Sequence, residues 1–286
     1  MHSPYRNRIF ETGKNRWIII VNSTLFYIIS YLVLYFITQL SGAIAAKTFN
    51  INSAIYFYKL DFLASPSEWW FDQVRVVFSV GPFIALTTAL VFLIIYLKVY
   101  HFDGILKMFF LWGFIHGMAL SIGAIATGTF INQGFGNVER WLYMNDSTLL
   151  FVGLAGIILL LITGLMISKL SFYSANTYYN MLYPQQHLSF ILNQFFLPWI
   201  FGIAIVSILK IPYNPSSFIE RYAQHDFSIL FSGLFIIIPM FSREHSFPEM
   251  YFDEGKKTFT IEWKYLILCF ALMLVFRFGL SSGMRI

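Results

Sequence analysis

The sequence predicts an all-α, polytopic transmembrane helical bundle of six to seven spans. Three observations predict it. Apolar residues fill 58% of the 286 positions and charged residues only 12%, about half the charged share of a soluble domain. Apolar runs long enough to cross a bilayer recur along the whole chain. Basic residues favour the connections on one side, as membrane topology requires.

A helix needs about 20 apolar residues to cross roughly 30 Å of hydrocarbon. Spans are predicted near 17–46, 76–98, 105–130, 147–168, 189–209, 227–242 and 264–283. The first, Trp17 to Ala46, is long enough to tilt or to project from the bilayer. It is also far longer than a signal-peptide core. The sixth, Phe227 to Phe241, is the shortest and short enough to be re-entrant, which keeps six spans open as the alternative.

The connections differ in character. Residues 47–75 hold Trp69 and Trp70 and are expected to form an interfacial or amphipathic outer segment, with the indoles at headgroup level. Residues 131–146 are rich in Gly and Asn and are expected to form a surface loop. Residues 171–188 are polar and aromatic, with Pro184. Residues 243–263 are the charged inner loop, with Glu244, Glu249, Asp253, Glu254 and Glu262. The run Asp253-Glu254-Gly255 predicts a hairpin turn, with TFTIEW (258–263) as its second strand. Ser121, Ala124, Thr127 and Gly128 in the third span, with Gly153 and Gly156 in the fourth, would let helix backbones approach closely. With no internal repeat and no soluble domain, residues 1–286 form a single membrane domain.

The positive-inside rule orients the spans. With a cytoplasmic N-terminus, that side receives Arg6, Arg8, Lys14, Arg16, Lys98, Lys107, Lys169, Arg243, Lys256, Lys257 and Lys264, which is 11 of the 19 basic residues. The Phe, Ile, Asn and Lys bias with compact loops suggests a bacterial inner membrane. No Lys/Arg block suits nucleic acid. The single cysteine, Cys269, excludes an intramolecular disulfide and a Cys-based zinc cluster. The expected partners are membrane lipids and another membrane protein, with no cofactor.

Few residues could carry chemistry. The spans hold almost no Asp or Glu, which weighs against a carboxylate proton relay. Arg277, inside the last span, is expected to snorkel to the interface or to pair with a carboxylate or lipid phosphate. His116 in the third span is expected to be a hydrogen-bonded packing residue. His101 and Asp103 are its nearest possible co-ligands, but they lie about 20 Å away along the chain axis, so the three cannot share one ion. No Gly-rich nucleotide loop, Ser nucleophile elbow or H-E-x-x-H zinc motif is present.

The end of the first span, FITQLSGAIAAKTFNI (36–51), resembles the active-site helix of the site-2 protease family of intramembrane zinc metalloproteases. On that register the first zinc histidine falls on Thr38, the catalytic glutamate on Gln39 and the second histidine on Gly42. Ala43, Ala45, Ala46 and Lys47 match the small-residue helix that follows. SVGPFIALTTALV (79–91) is similar to the family's A-G-P-x-x-N segment, with Gly81 and Pro82 in place and Ala85 where the family has Asn. Asp103-Gly104 is the nearest match to the family's Asp-Gly pair, but it comes too early. The likeness covers about the first 130 residues. Thr38 and Gly42 cannot replace two histidines, and Gln39 cannot act as a general base. The resemblance therefore implies a pseudoprotease scaffold. Without shared ancestry, the stretch is a small-residue packing helix.

The leading functional expectation is a non-catalytic membrane subunit or scaffold that docks a partner protein. A transporter or channel component, with the Gly81-Pro82 break lining a site, is the alternative. A membrane-embedded hydrolase using His101, Asp103 or His116 is the third.

Overall fold

A computed structural model of the chain describes residues 13–102, 104–212, 222–242, 247–252 and 257–286. The longest apolar run becomes the centre of the fold. α1 (Gly13–Thr48) is 36 residues long, about 54 Å at 1.5 Å per residue. It has no polar face, and a helix that is apolar all round is stable only when covered. Accordingly 83% of its most apolar 18-residue window is buried.

α2 (Phe71–Val99) returns antiparallel to α1, packing Val77 against Ala45 and Ala46. α3 (Lys107–Met118), a π-helical turn (Ala119–Gly123) and α4 (Ala124–Ile131) make one continuous rod. α5 (Gly136–Trp141) is short and leads into α6 (Asp146–Tyr173). α7 (Pro184–Ile191) and α8 (Leu197–Leu209) join through a second π turn. α9 (Tyr222–Ser232) and α10 (Leu234–Ser242) meet at Gly233. α11 (Trp263–Leu274) continues through a third π turn to Gly279.

Among the described residues, six of these rods are long and apolar enough to cross a membrane. α11 is shorter, but it runs parallel to α1. Tyr265 meets the Phe26 ring at 4.7 Å and Phe276 meets Tyr35 at 5.8 Å. The start of α11 is pinned by Asn22, which donates to the Thr260 carbonyl at 2.9 Å and accepts from the Glu262 N–H at 3.2 Å. The seventh apolar run thus packs alongside the first.

Two small sheets close the ends. β1 (Ser53–Ile55) pairs antiparallel with β2 (Leu60–Phe62) and with β5 (Met284–Arg285), in the order β2-β1-β5. β3 (Met181–Leu182) pairs antiparallel with β4 (Met250–Tyr251). We call the end of the bundle where α1 finishes the far end.

Three local expectations are corrected. Within residues 47–75 the chain forms the β1–β2 hairpin, with β5 paired on its β1 edge, and a 3-10 turn at Pro66–Glu68, rather than one continuous amphipathic helix. Residues 131–146 are not a plain loop, because α5 folds inward and buries Val138 and Glu139. Residues 257–262 form no strand. β4 instead takes β3 as its partner, and the turn at 253–255 lies outside the described residues. The small residues of the third and fourth runs do meet: a Cβ on Gly156 would lie 2.8 Å from that of Ala126. A further close approach joins α6 and α10. A Cβ on Gly164 would stand 2.2 Å from the Ile236 carbonyl oxygen, so α6 and α10 touch backbone to backbone.

Candidate ligand cleft

At the far end a cleft of about 850 Å³ lies between α1, α2, α4 and the start of α9, bordered by β2 and residues 131–137. Its size falls within the ordinary range of small-molecule pockets. Side-chain size explains why it exists. Thr38, Gln39 and Gly42 on α1 face Gly81 and Pro82 on α2. A Cβ on Gly81 would sit 3.8 Å from the Thr38 carbonyl oxygen, and one on Gly42 would touch the Leu60 side chain at 3.0 Å. Pro82 sits within α2 without ending it and has no N–H to give the Phe78 carbonyl.

One wall of the cleft ends on a partly buried ion pair, with Lys210 buried and Asp226 half-buried. Asp226, in the first turns of α9, lines the cleft, and its carboxylate is gripped by the Lys210 ammonium. Lys210 also donates to the Tyr31 hydroxyl at 3.1 Å and lies 3.6 Å from the Tyr35 ring centroid. Burial pushes the Lys210 pKa down from its ordinary value, and the Asp226 charge pulls it partly back. His225 Nδ1 lies 3.8 Å from the other Asp226 oxygen. Among the described residues, the buried Tyr35 hydroxyl and His225 Nε2 have no hydrogen bond of ordinary length.

The cleft is closed below by aromatic packing. His116 Nε2 donates to the Tyr27 carbonyl at 3.1 Å. Its ring meets those of Tyr27 and Tyr31 at 4.3 and 5.4 Å. Trp112 adds a hydrogen bond to the Ser23 hydroxyl at 2.9 Å.

The five motif positions Thr38, Gln39, Gly42, Gly81 and Pro82 therefore converge on one cleft. The other candidates do not join them. His116 is buried in the packing beneath it. His101 is exposed at the opposite end of the bundle, its ring 3.6 Å from that of Tyr100. Asp103 lies outside the described residues. Arg277 donates to the carbonyls of Leu209, at 2.7 Å, and Ile211. Its guanidinium also lies 4.3 Å from the Phe57 ring centroid. It caps the C-terminus of α8, where orphan carbonyls and the helix dipole favour a cation.

The cleft does not fit zinc. Thr38 commits its hydroxyl to the Tyr35 carbonyl at 2.8 Å, and Gly42 has no ligand atom. His225, Asp226 and Asp61 line the cleft, but each carboxylate is paired with an ammonium, of Lys210 and Lys59 respectively. Among the described residues no three His, Cys, Asp or Glu side chains come together.

Lys210 and Asp226 escaped the sequence reading because each stands one residue beyond a predicted span, 189–209 and 227–242. The available signal was opposite charge at facing ends of consecutive apolar runs. Comparison with family models, curated proteins and solved structures finds no match to the chain.

Proposed function

We propose that the chain is an integral membrane protein that binds a small ligand in the far-end cleft without transforming it. The observation that carries this reading is the cleft itself. It is roomy, lined by polar and aromatic side chains, and bordered by a partly buried ion pair in a bundle otherwise packed with apolar residues. Such a pocket with convergent polar groups is the default binding site of a helical bundle. The positive-inside bias makes the far end extracytoplasmic, in a bacterial inner membrane.

The test is cysteine accessibility in intact cells, in a Cys269→Ser background. A membrane-impermeant maleimide added outside is expected to label Gln39→Cys and Gln133→Cys, and to label His101→Cys only after permeabilisation. An inert Gln39→Cys would remove the cleft, and the reverse labelling order would invert the topology.

Partner docking by a pseudoprotease-like scaffold is the competing proposal. The five motif positions lining one cleft are what a vestigial active site would leave. Purification in mild detergent separates the two. A stoichiometric protein partner supports docking, and a bare chain supports ligand binding.

A further inference from the structure

The carboxylates that line the cleft are paired within the protein, and the nearby Arg140 guanidinium is turned to the Asn132 Oδ1 at 2.9 Å. Lys59 Nζ lies 2.9 Å from Asp61 Oδ2, and Asp226 is held by Lys210. An ionic ligand would lose its hydration there without meeting an uncommitted opposite charge, which is unfavourable. The remaining recognition groups are uncharged. The Tyr35 hydroxyl is buried, in a residue only 2% exposed; it has no hydrogen bond of ordinary length to a described residue, and the Gln39 amide and Asp226 carboxylate lie within its interaction range. It lines the same space as the Gln39, Asn132 and Asn137 amides. The rings of Tyr58, Trp69 and Trp141 also line it.

This combination has a chemical counterpart. A side-chain amide offers a donor and an acceptor in one plane, and a hydroxyl does both from one atom. Adjacent hydroxyls on a sugar ring present the same alternation of donor and acceptor. The C–H face of that ring is apolar and suits the flat surface of an aromatic side chain.

We propose that the cleft binds an uncharged saccharide, with ring hydroxyls taken by Tyr35, Gln39 and the Asn132 and Asn137 amides, and the C–H face laid on the aromatic wall. The proposal rests on the cleft being a ligand site and adds the class of ligand. The sugar can come from two sources: free in solution, or as the headgroup of a glycolipid in the surrounding bilayer.

The experiment uses the full chain in phosphatidylcholine nanodiscs, with tryptophan fluorescence as the readout because Trp69 and Trp141 line the cleft. Maltose is titrated as the free sugar. Glucosyl diacylglycerol is incorporated at rising mole fraction as the lipid-borne one. Glucose 6-phosphate and glucosamine serve as charged counterparts. Saturable binding of maltose identifies a free sugar, and binding of the glucosyl lipid alone identifies a headgroup. Gln39→Ala and Tyr35→Phe are each expected to weaken that binding at least tenfold. Tyr35→Phe keeps the ring beside Lys210, so an unchanged denaturation midpoint separates lost binding from lost folding. Absence of saturable binding, binding of a charged sugar as tightly as the neutral ones, or variants that bind like the parent would each overturn the proposal. A reactive Gln39→Cys alongside such a result leaves the cleft standing and rejects only the saccharide. An unreactive one rejects the cleft with it.

Discussion

Lys210 and Asp226 provide the sharpest quantitative test of the fold. Two unit charges about 3 Å apart attract by roughly 5–6 kcal/mol at an effective dielectric of about 20. Taking each ion out of water costs several kcal/mol, so the intact pair stands near break-even against apolar residues of similar volume. Losing one partner is different, because it strands the other charge. Lys210 is buried and Asp226 is about a quarter exposed, at 24%, so Lys210 is the worse ion to strand. Lys210→Met and Asp226→Leu are each expected to cost about 3–5 kcal/mol, with Asp226→Leu the costlier. The double variant should lie within about 1–2 kcal/mol of the parent, giving a coupling energy of roughly 4 kcal/mol or more. Reversible unfolding by SDS in mixed micelles, followed by tryptophan fluorescence, measures all four corners of this cycle. Additive single effects, or single effects below about 1 kcal/mol as at exposed ion pairs, would refute the burial argument.

Three further outcomes follow from packing and titration. Glu139 is buried and accepts from the Thr129 hydroxyl at 2.8 Å. Burial raises its pKa above the ordinary value of 4.5, against the lowering effect of that hydrogen bond. The folded state therefore favours the protonated acid, and this contribution is complete below pH 4.5 and lost as pH rises through the raised pKa. Glu139→Gln should flatten the pH–stability curve above that point, and an unchanged curve would assign the slope to another group. Gly164→Ala, whose Cβ would stand 2.2 Å from the Ile236 backbone oxygen, must push α6 from α10 and should cost about 1–3 kcal/mol. Gly42→Ala meets only the end of the Leu60 side chain, at 3.0 Å, and should cost less than about 1 kcal/mol by the same unfolding assay.

The helical rods were legible in the sequence because backbone hydrogen bonding and apolar length are local properties. A run such as 17–46 or 147–168 declares itself whatever its neighbours do. The small-residue contact between the third and fourth runs was legible for the same reason, since Gly and Ala permit close approach wherever they stand. The strands were not. The pairing of Ser53–Ile55 with Met284–Arg285 joins segments more than 200 residues apart, and three-residue strands carry too little pattern to announce a partner. The hairpin expected around Asp253 failed on the same ground, as Met250–Tyr251 found Met181–Leu182 instead.

The candidate site divides in the same way. Thr38, Gln39, Gly42, Gly81 and Pro82 stood out in the sequence through a resemblance to a zinc-protease motif whose ligand positions they cannot fill, and that chemistry depends on residue type alone. That they share a cleft was decided by the antiparallel crossing of α1 and α2. Lys210 and Asp226 lie at the edges of separate apolar runs, where a charge ordinarily faces water. Only the packing of α1, α8 and α9 buries them against Tyr31 and Tyr35. Composition determined what the helices are made for, and tertiary packing determined which polar groups they hold together, because burial is a property of neighbours and not of any one stretch of chain.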